Sequence, residues 1–439
     1  MEHCAHCAIE GPTETFRACA SCRAVLYCGP SCQREHWRRT HKNACKDLAS
    51  ATFRRFLSAA EAGNTDAQYN TWGNLRDGHG ALANPTQAMM WLHRAAEAGH
   101  TLAQIALGSC YLAGENVRTD AVQAVVWFRR AAAAGHPGAQ RRLGACYRDG
   151  TGTAADAVQA LRWFRQAAKA GDAEAQYNVG LFYYEGSVVA ADAVKAVAWF
   201  LRAAEAGHAP AQYSLGACHI SGEGTAADAA QAVAWFRRAA DAGVPEAQLR
   251  LGVCYRDGWG IEVNAAQAVA WLRRVADAGN SEAQRELGVC YLRGTGSADD
   301  AVNALHWLRQ AADSGSENSS AQHLLGLYYM HGTGAAVDPV LGVSWIRRAA
   351  NAGYAEAQQA LGLCYLEGKG LAADAEQAVA WFRRGVSAGN PSSMHSLGVC
   401  IRDGTGVAAD AREGVALIIR AAAAGYQHIP AGATAHRPA

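Results

Sequence analysis

Eight residues near the start of the chain have the types and spacing of soft metal ligands: Cys4-x2-Cys7, Cys19-x2-Cys22, Cys28-x3-Cys32 and His41-x3-Cys45. Zinc takes four thiolate or imidazole donors in a tetrahedron at about 2.0–2.3 Å, and spacers of two or three residues let neighbouring cysteines reach one ion without strain. Eight donors suffice for two ions. The segment is too short to bury a core of its own, so metal binding would supply its folding free energy. A cluster of reduced thiols without metal is the competing reading, and three close pairs followed by a His-x3-Cys weigh against it. Iron–sulfur clusters favour all-thiolate sets at other spacings.

The residues between these ligands narrow the choice. Tyr27-Cys28, then Cys32-Gln33-Arg34-Glu35-His36-Trp37, then His41-Lys42-Asn43-Ala44-Cys45 resembles the MYND-type zinc finger. The resemblance covers about a tenth of the chain and implies a cross-braced pair of sites. Cys4, Cys7, Cys28 and Cys32 would hold the first zinc, and Cys19, Cys22, His41 and Cys45 the second. Three residues separate Trp37 from His41 where two are also usual in the family, which keeps His36 as a rival imidazole. The family further implies a groove for a short proline-containing peptide, with Gln33 and Trp37 lining it. Trp37 has an alternative role in packing against the zinc core.

Positioning of any second surface falls to the rest of the chain, where repetition takes over. Ala-Gln recurs at Ala67, Ala103, Ala139, Ala175, Ala211, Ala247, Ala283, Ala321 and Ala357, with seven intervals of 36 residues and one of 38. A tryptophan follows each copy by 24 residues, from Trp91 to Trp381. A period in this range marks stacked supersecondary units. Within one unit, Ala175, Val179, Phe182 and Tyr183 share one face of a helix, and Ala196, Trp199, Phe200, Ala203 and Ala204 share one face of a second.

Both helices carry end signals. Gly186, with Gly78, Gly114, Gly150, Gly222, Gly258, Gly294, Gly332, Gly368 and Gly404 in the other copies, suits a turn needing positive φ. Seven residues before each tryptophan stands an N-cap candidate: Asn84, Asp120, Asp156, Asp192, Asp228, Asn264, Asp300, Asp338 and Asp374, with Asp410 in the last copy. Asn84-Pro85 and Asp338-Pro339 add proline just inside the helix. A calcium ladder is the rival, but its members lie on separate repeats and lack an oxygen-rich loop.

This pattern resembles the Sel-one-like repeat, a relative of the tetratricopeptide repeat, over about residues 60–425. The implied fold is all-α: a right-handed α/α solenoid of about ten 36-residue helix-turn-helix repeats, preceded by the small cross-braced two-zinc finger. The expected domains are a finger at 1–46, a capping helix at 47–62, the solenoid at 63–425 and a flexible tail at 426–439.

Seven further cysteines, Cys110, Cys146, Cys218, Cys254, Cys290, Cys364 and Cys400, share one repeat position and read as small core residues. Free thiols and thiolate zinc both suit a reducing, intracellular setting, cytoplasmic or nuclear. Cys4 leaves no room for a signal peptide ahead of it, and the sequence holds no 18-residue apolar run. Arg94, Arg130, Arg202, Arg238, Arg274, Arg348, Arg384 and Arg420 read as a solvated face paired with acids three residues on, such as Glu97, Glu205, Asp241 and Asp277. His100, His136 and His208 read as exposed turn residues.

Charge is nearly balanced, with 40 Lys/Arg against 39 Asp/Glu, so nucleic acid is a poor candidate for the main partner. No catalytic motif is present, and filled zinc sites leave no position for a water nucleophile. The sequence therefore points to a non-enzymatic adaptor: a finger for a proline-containing peptide and a solenoid for another protein. Two alternatives remain at this level. One is a nucleic-acid-binding or transcription-associated finger using Arg34, Arg38, Arg39 and Lys42; the other is a ubiquitin-ligase-like adaptor, since cross-braced zinc folds occur there.

Overall fold

The computed structural model describes residues 2–3, 10–11, 17–18, 26–27, 42–294, 298–315, 318–332 and 336–426, and the chain divides into two compact units, 1–208 and 209–439. In the first unit, two short antiparallel ladders precede the helices. β1 (Glu2–His3) pairs with β2 (Glu10–Gly11), β3 (Arg17–Ala18) pairs with β4 (Leu26–Tyr27), and β1 also lies against β4. A helix over Lys42–Glu61 follows, beginning within the stretch that carries the last zinc-ligand candidates. Four helix pairs complete this unit, from Thr65–Asp77 with Pro85–Glu97 to Ala173–Glu185 with Ala193–Glu205. The second unit contains six pairs, from Ala209–Ser221 with Ala229–Asp241 to Pro391–Asp403 with Ala411–Ala423. Within each unit every helix packs against the ones before and after it in the chain.

The turn between paired helices is specified locally. Gly186 adopts φ 70°, a left-handed conformation open to glycine without steric cost, and its amide returns to the Phe182 carbonyl at 3.2 Å. At the start of the second helix the Asp192 side chain accepts from the Lys195 amide, while the Asp192 amide donates to the Tyr183 carbonyl at 2.8 Å. Asn84, Asp120, Asp156, Asp228, Asn264, Asp338, Asp374 and Asp410 cap in the same way. Asp300 does not. The helix Ala298–Asp313 begins two residues before it, so its carboxylate stands in the first turn, where the free amides and helix dipole still favour an acid.

Close approach of the paired helices depends on one glycine in each of nine repeats, the first having Trp72 at that position. An added Cβ at Gly180 would lie 2.6 Å from Phe200 Cδ1 and Cε1; Gly216 faces Phe236 and Gly252 faces Leu272 in the same way. Alanines such as Ala203 and Ala204 are wholly buried beside these rings. The repeat tryptophans divide: Trp91, Trp127, Trp307, Trp345 and Trp381 are buried, whereas Trp163, Trp199, Trp235 and Trp271 keep part of their surface exposed. Trp199 is half-buried, whereas Phe200 is 2% exposed. One residue is about 100° around a helix, and it is the later aromatic whose direction meets the glycine.

Candidate interaction surfaces and the metal-binding finger

Most recurrent polar residues serve the stack itself. The glutamine of the Ala-Gln pair is buried in every copy but that of Gln248, and in most copies it donates from Nε2 to a carbonyl at the C-terminal end of the preceding helix: Gln104 to Ala96 at 3.0 Å, Gln140 to Ala132 at 3.3 Å, Gln284 to Ala276 at 3.2 Å. Helix ends leave carbonyls without intrahelical partners, and burial makes an unpaired one costly. Sequence reasoning found the ladder and missed this role; the fixed offset of glutamine from the preceding Ala-Gly was the available signal. A second ladder joins neighbouring second and first helices through tyrosine hydroxyls, which accept from Arg129, Arg165, Arg237 and Arg347.

Among the described residues, no acid forms an ion pair with the arginine ladder. The guanidinium of Arg130 lies 4.6 Å from the Trp127 ring centroid, and Arg202, Arg274 and Arg348 lie 4.9, 4.4 and 4.4 Å from those of Trp199, Trp271 and Trp345. A ring three residues earlier lies on the same helix face, and its negative face attracts the planar cation, so the guanidinium turns back onto the tryptophan rather than forward to the acid. The turn histidines also differ from expectation, each being half-buried. His100 caps a helix, with Nδ1 accepting from the Ala103 amide at 3.0 Å, and its ring stacks on Tyr69 at 4.8 Å. His208 packs against Tyr177, and burial lowers its pKa.

The seven repeat cysteines are free and buried, as their position implied. Burial raises all seven thiol pKa values, those of Cys254 and Cys290 to about 11. They are small core groups with no thiolate at neutral pH, unsuited to nucleophilic or metal chemistry.

Where repeats depart from one another, distinct surfaces arise. In the second unit, Tyr213, Ile220, Phe236 and Trp259 bound an apolar hollow of about 220 Å³. Trp259 is 52% exposed and stands where Thr151 and Thr405 stand; Ile220 replaces the arginine found at Arg148, Arg256 and Arg402. Beside it, Arg256 bonds both Asp257 and Glu286, Arg285 bonds Glu286, and Arg293 reaches Asp257 at 2.7 Å. The paired cations hold the Asp257 carboxyl below the usual carboxylate range, Arg256 contributing most.

Cys4, Cys7, Cys19, Cys22, Cys28, Cys32, Gln33, His36, Trp37 and His41 lie outside the described residues, as does 427–439. Cys45 lies in the helix Lys42–Glu61. The described strands frame the rest in sequence: Cys4 and Cys7 fall between β1 and β2, Cys19 and Cys22 between β3 and β4, and Cys28 directly follows β4.

Helix pairs of recurring length, stacked in order and joined in nearly every copy by capped glycine turns, define a helical repeat protein with an N-terminal finger. The sequence model of the Sel1 repeat matches ten consecutive copies, from 72–100 to 391–426, and the MYND finger model matches residues 4–45. The chain belongs to the Sel1 repeat family. Among solved structures it is similar to c5321, a protective antigen of uropathogenic Escherichia coli displaying an SLR fold, at 32% identity over 84% of this chain and 86% of that one, with a TM-score of 0.66. It is also similar to a Sel1 repeat protein from Oxalobacter formigenes, at 28% identity over 79% and 90% of the two chains, with a TM-score of 0.43. A helical repeat solenoid joined to a MYND finger is a protein-interaction scaffold.

Proposed function

We propose that the chain is a non-enzymatic adaptor with two separate protein-binding surfaces, the finger taking a short proline-containing peptide and the solenoid a different protein. The observation that carries this reading is the joining, on one chain, of a MYND finger match at 4–45 to ten Sel1 repeats. The donor set fits zinc: seven thiols and one imidazole supply four donors to each of two ions, Cys4, Cys7, Cys28 and Cys32 to one, Cys19, Cys22, His41 and Cys45 to the other. The placement of β1 against β4 supports this grouping, because Cys4 and Cys28 directly follow those two strands in sequence. Bound zinc supplies the folding free energy of a segment with no core. Gln33 and Trp37 would then line the peptide groove. A reducing intracellular setting belongs to the same proposal, supported by seven buried free thiols. No helix among the described residues is long and apolar enough to cross a membrane.

The test is capture of a proline-containing peptide by the full chain and by Trp37→Ala. Loss of capture with zinc content and helical circular dichroism unchanged supports the groove. Release of zinc by the substitution makes Trp37 structural and removes the groove's main support.

A further inference from the structure

The helix Ala157–Lys169 and the loop after the helix Ala173–Glu185 enclose a groove of about 480 Å³. Its floor is aliphatic: Leu161 is buried, Val188 and Val189 are half-buried, and Val158 is 64% exposed. Three cations line the same groove, Arg162, Arg165 and Lys169. Positions 162, 165 and 169 fall on one helix face. Arg165 is fixed, donating to the Tyr183 hydroxyl at 2.8 Å. Arg162 and Lys169 are exposed, and neither has an ion-pair partner among the described residues.

Arg165 and Val158 recur in other copies, whereas the repeat demands neither Arg162, Lys169 nor Val188. Where Arg162 stands, other copies place Ala198, Ala234, Ala270 and Ala380; where Lys169 stands, they place Glu97, Glu205, Asp241 and Asp277. Val188 takes the place of Gly152, Gly224, Gly260, Gly370 and Gly406. Gly152 has φ 70°, and a Cβ there would collide with the Ala121 carbonyl. A valine cannot follow that path without strain. The loop of the fourth repeat takes another, with no positive φ between Gly186 and Asp192, and presents Val188 and Val189 to the groove. One spot thus exchanges a glycine for a valine, an acid for a lysine and an alanine for an arginine.

We propose that this groove docks an acidic peptide segment bearing one aliphatic side chain, which deepens the reading of the solenoid as a protein-binding surface and rests on it. The aliphatic group covers Val158, Val188 and Val189, and flanking carboxylates pair with Arg162 and Lys169. Seven helical residues rise about 10 Å, which about three extended residues span, so the two acids stand about three positions apart with the aliphatic residue between them. Exposed cations alone would attract any polyanion. The floor decides the class: a nucleic acid seeks aromatic platforms for its bases, whereas Val158, Leu161, Val188 and Val189 fit an aliphatic side chain.

Selection of randomised phage-displayed peptides on the full chain tests this, followed by affinity measurement of one enriched peptide, synthesised and labelled, on the wild type and on Arg162→Glu/Lys169→Glu. The expected result is enrichment of peptides with two acids about three apart around Leu, Ile, Val or Met, with affinity falling at least about tenfold in the double variant, as reversal of charges paired across an interface produces. Lys169→Ala, a helix-favouring change at an exposed site, gives a smaller loss in the same direction and serves if the double variant unfolds. Enriched peptides that bind both proteins equally, or that have another composition, overturn the groove and leave the scaffold reading standing on another surface. Failure to enrich any peptide overturns it too. A labelled single-stranded oligonucleotide that binds the wild type and is lost in the double variant reassigns the groove to nucleic acid.

Discussion

Replacing Gly180 with alanine isolates the contact that sets the spacing of the paired helices. In an exposed helix interior this exchange stabilises by about 0.5–1 kcal/mol, because glycine loses more backbone freedom on folding. At Gly180 the new Cβ would stand 2.6 Å from two carbons of Phe200, about 1 Å inside the attractive contact distance. Phe200 has little room to yield: it is 2% exposed, with the rings of Tyr177 and Tyr184 at 5.6 and 6.4 Å. Overpacking of this kind costs about 1–3 kcal/mol. Set against the propensity gain, the net expectation is a loss of up to about 2.5 kcal/mol, centred on about 1.2 kcal/mol, or about eightfold in the local opening equilibrium. Gly73 is the internal control, a helical glycine whose added Cβ meets nothing within 4 Å. Gly73→Ala should stabilise by about 0.5–1 kcal/mol. Native-state hydrogen exchange reads both, since stacked repeats open locally. Amides of Ala173–Glu185 and Ala193–Glu205 should exchange faster in Gly180→Ala, while those of Thr65–Asp77 should exchange no faster in Gly73→Ala. Slower exchange in Gly180→Ala would refute the close approach.

Phe200→Ala should cost about 3–5 kcal/mol through lost transfer energy and a cavity, and Trp199→Ala less, because Trp199 keeps part of its surface in water; denaturant midpoints check the order. The Cys254 thiol, pushed up to about 11 from its ordinary 9.0, stays protonated in the fold where the unfolded thiol ionises. Its contribution to stability is therefore whole below pH 9 and lost as pH rises towards 11, so the urea midpoint should fall across that window less steeply in Cys254→Ala. Elemental analysis should give two zinc ions per chain, His41→Ala one, and chelation should unfold the finger while the helical circular dichroism of the repeats persists.

Much of the architecture was legible because each repeat states its own boundaries. The glycine turns at Gly78 and Gly186 and the caps at Asn84 and Asp192 fall where period and residue type place them. What escaped was the assignment of neighbours. Trp199 and Phe200 are adjacent and both apolar, and only the phase of one helix against its partner decides which meets Gly180; the recurring glycine twenty residues ahead of the later aromatic was the unread clue. Arg202 has an acid three residues after it and a ring three before it, and spacing alone does not say that the ring prevails. Asp300 shows the limit of periodicity, since a helix starting at Ala298 turns a cap position into a first-turn position. The groove at Arg162 and Lys169 was invisible for a different reason. Periodicity reveals what the repeats share, and this surface consists of what one repeat does differently.

Quantitative partner capture with the intact chain beside a version lacking residues 1–46 tests the two-surface account most directly. The account predicts that deletion removes a proline-containing subset of partners and leaves a second subset bound at undiminished yield, because finger and repeats hold their ligands separately. An identical partner set from both proteins, or loss of every partner when the finger is removed, would contradict it.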